Sequence, residues 1–259
     1  MRRAASVLAA CVLLALAPAG CGSDNEGDSG APGVVATGPA SSVPATRVPG
    51  VSGNVPVNPT PRPRSGTVAV AALGDSITAG TPLYDPDPDV RKQIGDDLDE
   101  RSQWEYWFTA AHPRYEIRNC GVNGERTDEI ARRLQTCAAG AKVLVVQGGI
   151  NDIAQGRSVE DAARNLRVMY AAGKKLGLDV YGVEVLPWNN GYPQAAPLVT
   201  RLNTLLRAAA KAEGVTVFPW YAALEDPENR GRMRAELTIE GNHPTVAGYK
   251  KLAEAMELP

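Results

Sequence analysis

Histidine is scarce in this chain of 259 residues, which contains only His112 and His243. That excludes a histidine-rich metal cage. Cysteine is nearly as rare, with four residues and no Cys-x-x-Cys pair. Four are too few for a disulfide-dense scaffold, and their spacing suggests no zinc site. Charge of one sign is not in excess either. Lys and Arg number 27 against 29 Asp and Glu, for a formal net charge of -2, whereas a nucleic-acid binder usually shows a strong basic excess or stripe. The N-terminal apolar run, Ala4 to Ala17, falls short of the roughly 20 residues of a transmembrane helix. What remains is ordinary globular composition, 44% hydrophobic and 22% charged, in a length that allows one or two domains.

The first residues read as an address. Arg2 and Arg3 precede the apolar run, and small residues follow at Ala17, Ala19 and Gly20. This is the layout of a secretory signal, expected over residues 1–20. The stretch Leu16-Ala17-Pro18-Ala19-Gly20-Cys21 resembles a bacterial lipoprotein processing site. That resemblance implies a lipid on Cys21, a membrane partner through that anchor, and an outward-facing location on the cell membrane. Pro18 stands where such sites usually have Leu, and cleavage after Ala19 with plain secretion is the other reading. Residues 21–66 are dominated by Gly, Pro, Ser, Thr and Ala, with eight prolines from Pro32 to Pro63. Such a stretch buries too little apolar surface to offset chain entropy, so a disordered tether is expected there.

From Thr67 the pattern changes. Short apolar runs suit buried strands at Thr67–Leu73, Lys142–Gln147, Asp179–Val185 and Val215–Phe218, with a weaker one at Tyr115–Asn119. Helical spacing separates them: Trp104, Trp107, Phe108 and Ala111; Ile130, Leu134 and Cys137; Ala162, Leu166, Met169 and Tyr170; Leu198, Leu202, Leu205 and Leu206. A last helix is expected from Thr245, with Pro244 just before it. Strands alternating with helices imply a parallel five-stranded sheet covered on both faces, an α/β three-layer αβα sandwich over residues 67–259. Ligands of such sheets bind beyond the carboxyl ends of the strands.

The chemistry-bearing residues cluster after those ends. Gly74-Asp75-Ser76 follows the first strand, where a serine on a sharp turn exposes its hydroxyl. A helix-capping serine would look the same. Asn119-Cys120-Gly121-Val122-Asn123-Gly124 follows the second, and Gly149-Ile150-Asn151-Asp152 the third. An amide side chain at Asn151 suits an oxyanion, but equally a helix cap. Near the C-terminus Glu240 precedes His243 by three residues, a carboxylate and an imidazole in the order of an orienting group and a base. Together the four stretches resemble the GDSL, or SGNH, hydrolases across essentially all of residues 67–259. The departure is Glu240, where that family normally has Asp.

The resemblance implies a flavodoxin-like SGNH hydrolase fold and a serine hydrolase of carboxylic esters, whether lipid, aryl or acetylated-carbohydrate. It implies Ser76 as nucleophile, His243 as base with a pKa of about 6.5 if unperturbed, and Glu240 as its orienting partner. It further implies an oxyanion hole from Ser76, Gly124 and Asn151, and no metal or organic cofactor. Leu186 to Tyr192 resembles a substrate-flanking loop of the thioesterase and arylesterase branch, with Trp188, Asn189 and Tyr192 as candidate substrate contacts. An acyltransferase or carbohydrate deacetylase of the cell envelope, or a catalytically weak surface lipoprotein, remains open, and a monomer is the default. The acidic runs Asp85–Asp89 and Asp96–Glu100 read as solvated loop, and His112 as a cap or surface residue. Cys120 and Cys137 are expected to be unbonded. A straight helix after Thr127 would carry Cys137 about 15–20 Å from the strand end, against a disulfide limit of roughly 7 Å between Cα atoms. Metabolic labelling with a palmitate analogue is expected to mark the wild-type chain and not Cys21→Ser. A wild type that stays unlabelled and begins at Gly20 would favour plain secretion.

Overall fold

The strand β1 (Val68–Gly74) has no polar side chain, so it requires cover on both faces. In the computed structural model, which describes residues 66–188 and 194–259, it receives that cover at the centre of a sheet. The signal, Cys21 and the tether through residue 65 lie outside the described residues, as do Asn189 and Tyr192. Four more strands are β2 (Tyr115–Gly121), β3 (Val143–Val146), β4 (Asp179–Val183) and β5 (Thr216–Phe218). All pair in parallel, in the order β2-β1-β3-β4-β5. The chain steps from β1 to β2 on one side and then to β3 on the other. That reversal opens a crevice at the carboxyl ends of β1 and β3, the usual ligand position in such sheets.

Alternation along β1 sorts its side chains into two cores. Ala71 and Leu73 face a layer with Ile130, Leu166, Met169, Leu202 and Leu206. Val70 and Ala72 face another with Trp104, Phe108, Trp220, Tyr249 and Leu252. The first layer is built by helices α4 (Thr127–Arg132), α5 (Leu134–Ala138), α7 (Val159–Lys175) and α8 (Ala195–Ala212). The second is built by α3 (Trp104–Ala111), α9 (Trp220–Leu224) and α10 (Val246–Glu254). The short helices α1 (Ser76–Ala79), α2 (Pro88–Ile94) and α6 (Ile150–Ala154) complete the set. Helix α7 shows why the sequence makes helices here. Ser158 caps it by accepting from Asp161 N–H at 3.2 Å, Glu160 and Asp161 sit in its first turn, and Lys174 and Lys175 in its last. These charges oppose the helix dipole at each end. The first acidic run is not wholly solvated. Asp87 caps α2, and Asp85 is buried, which pushes its carboxyl up to about 6. His112 is an exposed C-cap of α3.

The cysteine expectation is corrected. Cys120 and Cys137 form a disulfide, with Cα atoms 6.1 Å apart. The expected straight helix after Thr127 is broken at Arg133 into α4 and α5. The break turns Cys137 back over β1, where its sulfur lies 3.9 Å from Ala72 O. Cys120 is the register neighbour of Leu73, so the two sulfurs meet above adjacent strands. The bond closes a loop with a sequence separation of 17, and a loop of that size stabilises by about 3 kcal/mol in the chain-entropy picture. Cys137→Ser is expected to lower unfolding free energy by about that amount in a denaturant titration. An unchanged midpoint, with the wild-type thiols freely alkylated without reductant, would remove the bond.

Candidate active site

The turn after β1 is fixed from three directions. Asp75 N–H and Thr78 Oγ1 both donate to Gln147 Oε1, at 3.0 and 2.9 Å. Asp75 Oδ1 accepts from Ile77 N–H at 3.0 Å, capping α1. Gly74 has no room for a side chain, since a Cβ would overlap Thr78 Oγ1 and Gln147 Oε1. Ser76 is thereby the first residue of α1, with its hydroxyl at the crevice between β1 and β3. Asp75 is fully buried, and its Oδ2 has no hydrogen-bond partner among the described residues. Burial pushes its carboxyl up to about 6, against the opposing hydrogen bonds from Ile77 and Gln147.

The turns after β2 and β3 are bound to each other. Asn151 Nδ2 donates to Glu125 O at 3.0 Å, and Gln155 Nε2 to Gly124 O at 3.0 Å. Asp152 accepts from Thr127 N–H at 2.9 Å and from its hydroxyl at 2.8 Å. Gly149 has a φ of 120°, in the region that favours glycine, and a Cβ there would crowd Leu202. Gly124 lies in an exposed turn with a φ of 80°. Its N–H belongs to the peptide shared with Asn123.

The last piece arrives from the C-terminal segment. Strands β6 (Thr238–Ile239) and β7 (His243–Pro244) form a two-residue antiparallel ladder before α10, and Thr245 caps that helix. The hydroxyl of Thr238 donates to His243 O at 3.0 Å. In this setting His243 Nε2 lies 3.1 Å from Ser76 Oγ.

Glu240 does not take the place expected of it. It occupies the tight turn between β6 and β7 with a φ of 55°, followed by Gly241 at 70°, and Asn242 N–H closes the turn on Ile239 O at 3.1 Å. Two consecutive residues of positive φ match the twist of a hairpin. The turn leaves the Glu240 side chain exposed, and among the described residues no hydrogen bond or ion pair joins it to His243.

A cavity of about 130 Å³ opens beside Ser76, Asn151 and His243. Asn123 also lines it, whereas Gly124 is not among the lining residues. Its apolar wall includes Ile150, Ala154, Leu186, Trp188 and Trp220. Trp188 lines the cavity and is also part of the buried core beneath it. Two polar lining residues were not singled out from sequence. One is Gln147, the polar residue directly after the all-apolar β3. The other is Glu184, directly after β4, which pairs with Arg207 and accepts from Tyr221 N–H at 3.2 Å. A polar residue at the carboxyl end of a buried strand was the available signal for both.

Residues 72–251 match the model of the GDSL-like Lipase/Acylhydrolase family. The chain belongs to that family and is an esterase- or lipase-type hydrolase. A search of curated proteins returned no match. Solved structures share the fold. A GDSL-like lipase from Bacteroides thetaiotaomicron superposes with a TM-score of 0.58 at 20% identity, covering 76% of this chain and 89% of that one. A member of the lipolytic G-D-S-L family from Veillonella parvula gives 0.58 at 19%, covering 73% and 96%. An acetyl xylan esterase from Geobacillus stearothermophilus gives 0.56 at 17%, covering 73% and 93%.

Burial lowers the His243 imidazole from 6.5 to about 4. Unfolded histidine therefore binds its proton at higher pH than the folded residue. Its contribution to stability is present above 6.5 and is lost as pH falls through about 4. An NMR titration is expected to place the His243 midpoint at about 4, unchanged in Glu240→Gln. A midpoint at or above 6.5 that drops in Glu240→Gln would mean that the carboxylate reaches the ring.

Proposed function

We propose that this hydrolase cleaves carboxylic esters of small acyl groups through an acyl-enzyme on Ser76, with His243 as the base. The observation that carries this reading is the 3.1 Å approach of His243 Nε2 to Ser76 Oγ at the cavity. Burial keeps the imidazole neutral, the form that can accept a proton. As Oγ bonds the ester carbonyl carbon, its proton passes to Nε2 and the carbonyl oxygen becomes an oxyanion. The imidazolium then returns the proton to the departing alkoxide. Water, deprotonated by the same nitrogen, attacks the acyl-enzyme and frees Ser76.

Three donors serve the oxyanion. Ser76 N–H opens α1 and has no intrahelical acceptor. Gly124 N–H lies on the peptide that joins it to Asn123, which lines the cavity. Asn151 Nδ2 keeps a second hydrogen beyond the one given to Glu125 O. Glu240 is outside this scheme, which is a Ser–His dyad. The imidazole is held instead by the β6–β7 ladder and the Thr238 hydroxyl.

The cavity volume supports a short acyl group. An apolar cavity of about 150 Å³ holds a single benzene, so a site of about 130 Å³ suits acetyl to butyryl chains. The acetyl xylan esterase among the structural neighbours points the same way. The leader and Cys21 support an activity on the outer face of a bacterial membrane, or in the medium if cleavage follows Ala19.

Hydrolysis of nitrophenyl esters from acetate to palmitate tests the reading. Acetate to butyrate should exceed long chains by roughly 10-fold or more in kcat/KM. Ser76→Ala should lose nearly all activity, and Asn151→Ala roughly 10²–10³ in kcat. The acid limb of kcat/KM should fall near pH 4, following His243. Full activity in Ser76→Ala refutes the assignment, and a preference for palmitate refutes the acyl class.

A further inference from the structure

Arg133 sits at the break between α4 and α5, and its guanidinium reaches three separate segments. Nη1 donates to Cys120 O at 2.7 Å, at the end of β2. Nη2 donates to Gly74 O at 3.0 Å, at the end of β1. Nε donates to both carboxylate oxygens of Glu125, at 3.1 and 2.9 Å. The side chains of Arg133 and Glu125 are 22% and 19% exposed, so solvent only partly screens the pair. Two of these contacts, at Gly74 and at Glu125, lie one short step from the proposed oxyanion donors. Ser76 N–H lies two residues beyond Gly74. Gly124 N–H lies one residue before Glu125. The Asn151 amide is hydrogen-bonded to Glu125 O itself.

We propose that Arg133 is a positioning residue for the oxyanion hole, holding the Ser76, Gly124 and Asn151 donors in mutual register. The inference rests on the proposed acyl-transfer reading. Gly74 O also accepts from Val122 N–H at 3.1 Å, so the β2 turn hangs on the same carbonyl that Arg133 grips. The Cys120–Cys137 disulfide and the Cys137 N–H bond to Arg133 O at 2.9 Å clamp the base of this arrangement. Only a planar fork with several donors can serve two carbonyls and a carboxylate at once. A lysine ammonium has one nitrogen and cannot span all three.

The test compares wild type, Arg133→Lys, Arg133→Ala and Ser76→Ala, with the disulfide intact in all. A displaced donor should lower kcat roughly 10- to 100-fold, in both Arg133 variants, with KM within about twofold. Labelling of Ser76 by a fluorophosphonate, whose phosphoryl oxygen needs the same donors, should slow in parallel. Added guanidinium at low concentration should restore much of the Arg133→Ala activity, and ammonium should not. The losses in Arg133→Ala and Asn151→Ala should not multiply in the double variant, because both act on one constellation. If the Arg133 variants melt earlier yet keep wild-type kcat and labelling rate, Arg133 is only a structural staple and the proposal fails. If wild type hydrolyses no ester, or Ser76→Ala keeps full activity, the acyl-transfer reading fails instead. The labelling rates then decide whether Arg133 still sets the reactivity of Ser76.

Discussion

Leu73 is paired in register with Cys120 on one side and Val146 on the other, and its carbonyl accepts from Gln147 N–H at 2.9 Å. The site depends on this parallel alignment. Parallel strands end on the same edge of a sheet, so the turns bearing Ser76, Gly124 and Asn151 emerge together although they come from distant parts of the chain. Gln147 follows the last aligned pair, and its side chain crosses to Asp75 N–H and Thr78 Oγ1. A slip of one residue would reverse every side chain between the two cores. The packing of Ala71 and Ala72 against opposite helix layers therefore also fixes where the serine turn stands.

Burial sets the electrostatics of the site. His243 has no carboxylate on its ring among the described residues, and desolvation favours the neutral imidazole. A neutral acceptor beside a hydroxyl is the state from which a proton can move without first breaking an ion pair. Asp75 responds to the same dry surroundings with a raised pKa, and one of its oxygens is left without a partner. Arginine supplies order that the histidine side does not receive from Glu240. The Arg133 guanidinium binds two backbone carbonyls and both oxygens of the Glu125 carboxylate, joining the ends of β1 and β2 to the turn that follows β2.

Much of the fold was legible because it rests on local periodicity. All five strands of the parallel sheet and the long helices stand within a few residues of their apolar patterns, and Pro244 and Thr245 marked the start of the last helix. Ser76 and Asn151 stood out by their place after strand ends, and His243 by the carboxylate three residues before it, the stretches together carrying the family resemblance. Three features were not legible. The helix break at Arg133 leaves no proline or glycine in the sequence, so a straight helix was the natural reading and the disulfide was missed. The β6–β7 hairpin places Glu240 at a positive φ and turns it to solvent, which spacing from His243 does not disclose. Gln147 was treated as a strand residue because its partner lies 72 positions away.

The sequence by itself determined which segments become strands and helices, because helical and strand periods are properties of neighbouring residues. It also determined that a serine turn, an amide and an imidazole exist on those segments. Only the tertiary structure decided which side chains touch. It brought His243 Nε2 to Ser76 Oγ across 167 positions and joined Cys120 to Cys137. It left Glu240 outside, because a contact between remote groups is fixed by strand order, register and the bend of a connecting helix. Those are settled by packing two cores against one sheet, and no local stretch of residues encodes them.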